Sequence, residues 1–442
     1  MAVEATLQAD TNEVTGMVTQ TVLPFKLEIT RDIVTAHAGL ALFGEFVHAL
    51  KLPGLLDEAL PAPGSPAGYQ PSRFVLPLVL MLHGGGRSLE DLRQIREDQA
   101  LRKLLGLGEM ASADACGDWL RRMGAGPGLE ALAAVNRNVL AWGLGREGGR
   151  AFTLDIDATQ IVAEKQEAMP TYKGEIGYMP IVGHLAENGL VVGEQFRAGN
   201  QSPNARNLEF IRHCEAQMPQ GRRIAHLRSD SAAYQAEIFN NCEEQGRTFA
   251  IGAPLDQAVQ AAIAALPEEA WRRWQNGRIA ETVHTMEKTR KAFRLVVIRR
   301  PVQTDLLQGE DPSQRYTAIA SNRQESAERT IAWYNARGEH SENRIKELKA
   351  GFGMERMPCG TLEANAVFFR IGALAYNLFC LFKRHVLPRG WQKHQVETLR
   401  WRLYQAAGKV VTHAGAVFLK VSAGLFALFE EIRTRCRELA CA

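Results

Sequence analysis

Apolar residues recur every three or four positions between residues 30 and 145. The pattern is clearest in G-L-A-L-F-G-E-F-V-H-A-L (39–50) and returns near 88–105 and 128–142. That spacing paints one face of an α-helix, so this part of the chain is expected to be all-helical. Ser112, ahead of A-D-A-C-G-D-W-L-R-R-M, is placed to cap a helix that ends in Arg121 and Arg122, since a serine hydroxyl accepts from the free N–H groups of a first turn. With the helix before it, around Arg102 and Lys103, it allows either a helix-turn-helix or a plain bundle.

At residue 150 the period drops to two. F-T-L-D-I-D puts Phe152, Leu154 and Ile156 on one face and Thr153, Asp155 and Asp157 on the other, the mark of a half-buried strand. P-I-V-G-H-L-A and L-V-V-G-E-Q-F-R follow, joined through Glu187, Asn188 and Gly189. Asn-Gly between apolar runs is a strong hairpin signal. R-I-A-H-L-R-S-D (223–230) predicts a fourth strand, 234–246 a helix, and T-F-A-I-G-A-P (248–254) a fifth strand. The order strand, hairpin, strand, helix, strand is that of a mixed α/β domain. A helical piece then leads to Trp271 and Trp274, and R-L-V-V-I-R-R (294–300) and R-Y-T-A-I-A-S-N (315–322) read as strands. A helix is expected over 325–350, an apolar helix over 361–385, and a helical, basic tail from 386.

Composition narrows the classes. Of 442 residues 46% are hydrophobic and 23% charged, which excludes wholesale disorder. The net charge of +3 does not by itself identify a nucleic-acid binder, but residues 271–301 hold nine Lys or Arg against two Asp or Glu. Seven cysteines at 116, 214, 242, 359, 380, 436 and 441 include no Cys-x-x-Cys pair, which argues against a disulfide framework and a zinc knuckle and for a reducing cytosol. The first 22 residues carry no Lys or Arg, so they are read as a polar, disordered leader and not a targeting peptide. The apolar run 74–82 is too short to span a bilayer, and 364–382 is broken by Asn365, Arg370 and Asn377; a buried core helix is expected there, not a membrane span.

Three acids stand out for their positions. Asp157 ends the first strand, Asp230 ends the fourth in S-D-S-A-A-Y, and Glu342 lies on the late helix in G-E-H-S-E-N-R-I-K-E-L-K. Carboxylates from neighbouring strand ends, joined by one from a helix, make a hard-oxygen site suited to Mg²⁺. Two such ions serve in-line displacement at phosphorus. Each acid alone is as well explained as a solvated or capping residue. Lys349 lies seven residues after Glu342, about two turns on, so acid and cation project from one face. Tyr334 and Arg337 also share a face, while a surface helix with a Glu342–Lys346 pair remains the plain alternative. His184, His213 and His226 have no metal-ligand partners at useful spacing.

These residues resemble bacterial insertion-sequence transposases of the DDE type, in the group marked by a Tyr-Arg-Glu-Lys signature. The resemblance runs from about Asp155 to Leu381 through L-D-I-D-A-T, F-R-A-G-N, R-S-D-S-A-A-Y, the signature helix and A-L-A-Y-N-L. It implies a ribonuclease H-like core interrupted by a β-rich insertion. It further implies that Asp157, Asp230 and Glu342 are catalytic and bind two Mg²⁺ ions, with Mn²⁺ as a substitute. Tyr334, Arg337 and Lys349 would contact the transposon-end backbone, and Lys346, Arg299 and Arg300 are further candidate phosphate contacts. Trp271 and Trp274 fall where related enzymes stack an aromatic on a flipped base, although tryptophan in a small basic domain is equally at home in its core. Asp155 shares a strand face with Asp157, but Asp157 carries the D-x-T match. The family pattern leaves three residues between Arg and Glu, whereas Arg337 and Glu342 enclose four. Either the helix bulges near Gly338 or the Arg is another one. Glu339 competes with Glu342 as third ligand, and the E-N-R-I-K-E-L-K match favours Glu342.

The expected organisation is a leader (1–29), a helical DNA-binding or dimerisation domain (30–148), the first part of the ribonuclease H-like core (149–254), the insertion (255–322), the second part of the core (323–385) and a helical basic C-terminal region (386–442). The expected activity is cut-and-paste transposition in the bacterial cytoplasm, on double-stranded DNA. The partners are terminal inverted repeats, target DNA and a second copy of the chain in the DNA complex. The alternatives are an inactive transposase-derived DNA-binding protein and a ribonuclease H-like nuclease or resolvase without strand transfer.

Overall fold

The computed structural model describes residues 28–301, 314–338 and 342–441. A short strand, β1 (Ile33–Thr35), precedes seven helices: α1 (Ala38–Ala49), α2 (Leu52–Ala59), α3 (Ser72–Gly84), α4 (Leu92–Glu97), α5 (Gln99–Leu105), α6 (Ala113–Gly124) and α7 (Gly128–Gly145). Ser112 caps α6 as its sequence position requires, its hydroxyl accepting from the Ala115 N–H at 3.2 Å. Cys116, Trp119 and Leu120 of α6 point into the core.

The chain then builds the sheet that places the acids. Its strands are β2 (Ala151–Ala158), β6 (Ile181–Leu185), β7 (Val191–Gln195), β8 (Arg223–Ser229) and β9 (Thr248–Ala253), with α8 (Asn207–Ala216) and α9 (Ala236–Glu244) between them. β3 (Ile161–Val162), β4 (Met169–Pro170) and β5 (Ile176–Tyr178) form a small separate sheet. β2, β8 and β9 run parallel to one another; β6 runs antiparallel to β2, and β7, antiparallel to β6, runs again in the direction of β2. The Asn-Gly turn forms as read: Gly189 takes φ +82°, open to glycine because it lacks Cβ, and Asn188 Oδ1 accepts from the Leu190 N–H at 3.0 Å.

Next come α10 (Gln257–Ala264), β10 (Arg272–Trp274), β11 (Gly277–His284), β12 (Phe293–Pro301) and β13 (Gln314–Ser321). β13 pairs antiparallel with β9, so one nine-stranded sheet runs β10-β11-β12-β13-β9-β8-β2-β6-β7. The strands of the 255–322 segment thus continue the sheet that carries Asp157 and Asp230. Both faces of β12 are covered: Leu295 and Val297 pack with Val259 and Trp271 on one side, Val296 and Ile298 with Ile331 on the other. Its unbroken apolar run follows from that double burial.

The late helix is not continuous. α11 (Ala327–Arg337) passes into π-helical geometry at Gly338, and Glu342 is again π-helical before α12 (Asn343–Lys346), with a further π turn over Glu347–Gly351. α13 (Leu362–His385) then runs through the middle of the protein. It is long and apolar enough to cross a membrane, yet 89% of its apolar window is buried inside the protein. Its polar residues have fixed partners. Asn377 bonds the Val191 N–H and C=O at the sheet edge (2.7 and 2.8 Å), Arg370 is paired with Glu194, and Asn365 bonds both backbone groups of Cys359. The tail contains α14 (Val396–Leu399) and α15 (Ala423–Cys441), but also a hairpin of β14 (Gly408–His413) and β15 (Ala416–Lys420) that pairs with β1. K-V-V-T-H-A-G-A-V-F-L-K has the alternation and turn glycine of a hairpin, a pattern that a wholly helical tail passes over.

Candidate catalytic site

Sheet register explains why two acids meet. Ile156 of β2 and Ser229 of β8 are partners in a parallel pair, so the next residues, Asp157 and Asp230, leave the same end of adjacent strands. Asp230 turns the chain into a short helical turn, its Oδ1 accepting from the Ala232 N–H at 3.1 Å. Asp157 is mostly buried, and its carboxyl is pushed up from 3.8 to about 6. Burial is the largest cause; the Arg337 charge opposes it, and the charges of Asp230 and Glu342 add to it. These three acids therefore share one electrostatic field.

Arg337 comes in from α11. Its Nη2 lies 3.3 Å from Asp157 Oδ2 and donates to the Ile156 carbonyl at 3.4 Å, while its buried Nε has no hydrogen-bond partner among the described residues. Tyr334, one turn earlier, lies over β9: a Cβ at Gly252 would come within 2.9 Å of its hydroxyl and 3.4 Å of the Asp230 carbonyl carbon. Burial raises the Tyr334 phenol, with Arg337 lowering it and Asp230 and Asp157 raising it. Glycine at 252 is what allows this close approach. Glu342 is exposed, and both it and Gly338 have π-helical geometry. A π turn takes up an extra residue, as the bulge expected near Gly338 would. Glu339 lies outside the described residues.

Lys349 is held at the turn after β2, its Nζ donating to the Gln160 carbonyl at 2.6 Å, and burial lowers its pKa. Lys346 is exposed. Arg299 binds Glu268 through both terminal nitrogens, at 2.6 and 2.8 Å, and covers the Trp271 ring at 4.3 Å. Trp271 is only 7% exposed, in the core of the β10–β13 region, so no face of that ring is open for stacking; Trp274 is half-buried against the opposite face. Arg300 is half-buried and its Nε has no hydrogen-bond partner among the described residues.

One element of the site went unread in the sequence. Asp155, fully buried, accepts two hydrogen bonds from Arg228 at 2.7 and 2.8 Å, and Arg228 Nη1 donates to the Trp333 carbonyl at 2.6 Å. One guanidinium thus ties together β2, β8 and α11 two residues before Asp157, two before Asp230 and one before Tyr334. The available signal was the shared offset: L-D-I-D and R-S-D each hold a charge two residues before the acid.

The donor set is carboxylate oxygen throughout, which fits a hard divalent cation. Mutual repulsion and the raised Asp157 fit as well, because a cation relieves both. As placed, no three His, Cys, Asp or Glu side chains among the described residues stand close enough to hold a metal ion together. The compensating charge at Asp157 comes from Arg337.

The family model described as transposase DDE domain group 1 matches residues 24–440. A search of curated proteins finds no match. Among solved structures the chain is similar to a piggyBac transposase in a synaptic complex with hairpin DNA, at 10% identity and a TM-score of 0.46, covering 85% of this chain and 82% of that one.

Proposed function

Because the chain belongs to the transposase DDE domain group 1 family, we propose that it is a cut-and-paste DNA transposase of an insertion sequence. It binds terminal inverted repeats, hydrolyses a phosphodiester to free a 3′-OH, and joins that hydroxyl to target DNA. The observation that carries this reading is the emergence of Asp157 and Asp230 from paired positions on adjacent parallel strands, within the field of Glu342. The strand order β7-β6-β2-β8-β9, in which β6 alone runs against the other four, supports a ribonuclease H-like core. The π-helical geometry at Gly338 and Glu342 supports a place in the Tyr-Arg-Glu-Lys group despite the extra residue.

Asp157, Asp230 and Glu342 are the residues that would hold divalent metal, Mg²⁺ in the first place. Bound there, the metal would supply Lewis-acid activation of the attacking oxygen and charge neutralisation at phosphorus. The chain's own groups set the rest. Arg337 keeps Asp157 oriented, and its buried Nε has no hydrogen-bond partner among the described residues. Tyr334 presents its hydroxyl beside Asp230. Hydrolysis and joining are both in-line displacements at phosphorus, so one constellation serves both. Outside it, Arg273, Arg278 and Arg299 line an open basin of about 730 Å³ that suits a DNA backbone. Holding two ends calls for a second copy of the chain in the complex.

The test is a plasmid carrying the flanking ends of the reading frame, incubated with protein and Mg²⁺. Excision followed by a joined product is expected. Cleavage without joining would make the protein a nuclease or resolvase, and end binding without cleavage an inactive derivative.

A further inference from the structure

The segment after β7 carries F-R-A-G-N, a motif that the reading above leaves without a role. Its Arg197 is only 2% exposed. Nε donates to Gln195 Oε1 at 2.9 Å, Nη1 reaches Asn207 Oδ1 only at 3.5 Å, and buried Nη2 has no hydrogen-bond partner among the described residues. The Phe210 ring lies 5.9 Å away. Among the described residues no carboxylate pairs with this guanidinium, in contrast to buried Arg228, Arg247 and Arg400. Burial, joined by the charge of Arg206 and opposed by that of Glu209, lowers the Arg197 pKa to about 10. A buried charge without a partner is costly.

A second, independent feature points to the same place. α8 begins at Asn207, against the Arg197 guanidinium, and has no side-chain cap. Its N-cap is Arg206, held at φ +56°, a strained conformation for a side chain with Cβ. The positive end of the helix dipole therefore lies beside a second cation, Arg197, whose Nη1 reaches the Asn207 side chain. Asn207 cannot relieve this, since its Nδ2 donates to the Pro203 and Ala232 carbonyls, each at 3.1 Å. The only carboxylate in that turn is Glu209, and Arg206 takes it, with Nε at 2.8 Å and Nη2 at 2.5 Å. Arg206 is neutralised; Arg197 is not.

The location ties this charge to the acids. Asn207 bonds the Ala232 carbonyl, and the Ala232 N–H donates to Asp230 Oδ1. Gln235 Nε2 spans the Asn204 and Ala232 carbonyls at 2.7 and 2.8 Å. The start of α8 is thus two hydrogen bonds from the Asp230 carboxylate.

We propose that the N-terminus of α8 is an anion subsite for a non-scissile phosphate of the DNA strand, held by the first-turn N–H groups and Arg206, with the buried charge of Arg197 behind it. The assignment to DNA rests on the transposase reading; the anion subsite does not. An arriving phosphate takes Arg206 from Glu209 and supplies the negative charge that the fold leaves out.

The experiment uses the full chain and two probes. Inorganic phosphate is titrated against chloride at matched ionic strength, reading the thermal midpoint. A short DNA duplex is titrated across NaCl concentrations, reading affinity. Phosphate should raise the wild-type midpoint and leave Arg197→Gln nearly unmoved. The log–log salt slope for duplex should fall by roughly 0.9 in Arg197→Gln and recover in Arg197→Lys. Glu209→Gln, an exposed change that removes the competing carboxylate, should strengthen both responses. A lower midpoint for Arg197→Gln without phosphate, with slope unchanged, would make Arg197 a packing residue and overturn the proposal. So would an absent phosphate response in the wild type. A phosphate response without any duplex affinity would overturn the DNA assignment and the transposase reading while leaving a site for free phosphate. If Arg197→Gln does not fold, unchanged responses in Glu209→Gln still overturn the subsite.

Discussion

At the scale of single residues the decisive group is Asp157. Its carboxyl holds a proton more tightly in the folded chain, at about 6, than at its ordinary 3.8, chiefly through burial. Between those values the folded state binds more protons than the unfolded one, so the metal-free protein loses stability as pH rises from about 4 to about 6. Comparing thermal midpoints of wild type and Asp157→Asn from pH 4 to 7, the difference is expected to move against the wild type as pH rises. A flat or opposite trend would mean that Asp157 is ionised at low pH and not held up by burial. Metal binding has the reverse dependence, because the ligand must be ionised; Mg²⁺-dependent cleavage is expected to fall below about pH 6. Substitution tests the set directly. Asp157→Ala, Asp230→Ala and Glu342→Ala should each abolish cleavage while gel-shift binding of ends persists. Glu342→Gln should lose Mg²⁺-dependent cleavage and Glu339→Gln retain most of it; the reverse result would move the third ligand to Glu339.

At the scale of elements the site depends on one buried clamp. Arg228 fixes β2 to β8 through Asp155 and reaches α11 through the Trp333 carbonyl, while the Trp333 ring lies between Arg228 at 5.0 Å and Arg323 at 3.9 Å. Breaking one side of a buried pair costs about 3–5 kcal/mol, since the other charge is stranded. Arg228→Ala should therefore lower the thermal midpoint sharply. Arg228→Lys keeps the charge but loses the fork geometry, so it should fold, bind DNA nearly as wild type and lose turnover at saturating DNA. Equal losses in binding and turnover would remove the positioning role. Of the clamp only the shared two-residue offset was legible in sequence; the pairing itself depends on cross-strand register, which makes Asp155 and Arg228 neighbours. Strands β2, β6, β7, β8 and β9 were legible, since Phe152–Leu154–Ile156 alternation and the Asn188–Gly189 turn are local signals. The β10–β11 hairpin was not, because R-R-W-Q-N-G-R-I-A-E carries few apolar residues; its exposed arginines hide the period. The helix break near Gly338 was announced only by the extra residue between Arg337 and Glu342.

Over the whole molecule, charge placement governs what DNA binding looks like. The net charge is only +3, so affinity for a polyanion has to come from local arrangements, and those differ in kind. Lys346 is exposed, and removing it subtracts one cation from the helical segment beside Glu342. Lys349 is committed to the Gln160 carbonyl, so Lys349→Ala removes a tether as well as a charge and should reduce cleavage more than binding. Arg299 is shared with Glu268, which Arg278 also approaches at 3.3 Å. Deleting Arg299 strips a cation from the 730 Å³ basin and also frees a carboxylate within it. Arg299→Ala should therefore weaken duplex binding more than Lys346→Ala does, and Glu268→Gln in the same background should recover much of the difference. Affinities measured from low to moderate NaCl check this: each lost phosphate contact lowers the log–log slope by roughly 0.9. If Glu268→Gln restores nothing, the Arg299–Glu268 pair is an internal brace over Trp271, and the DNA path lies on another face of the sheet.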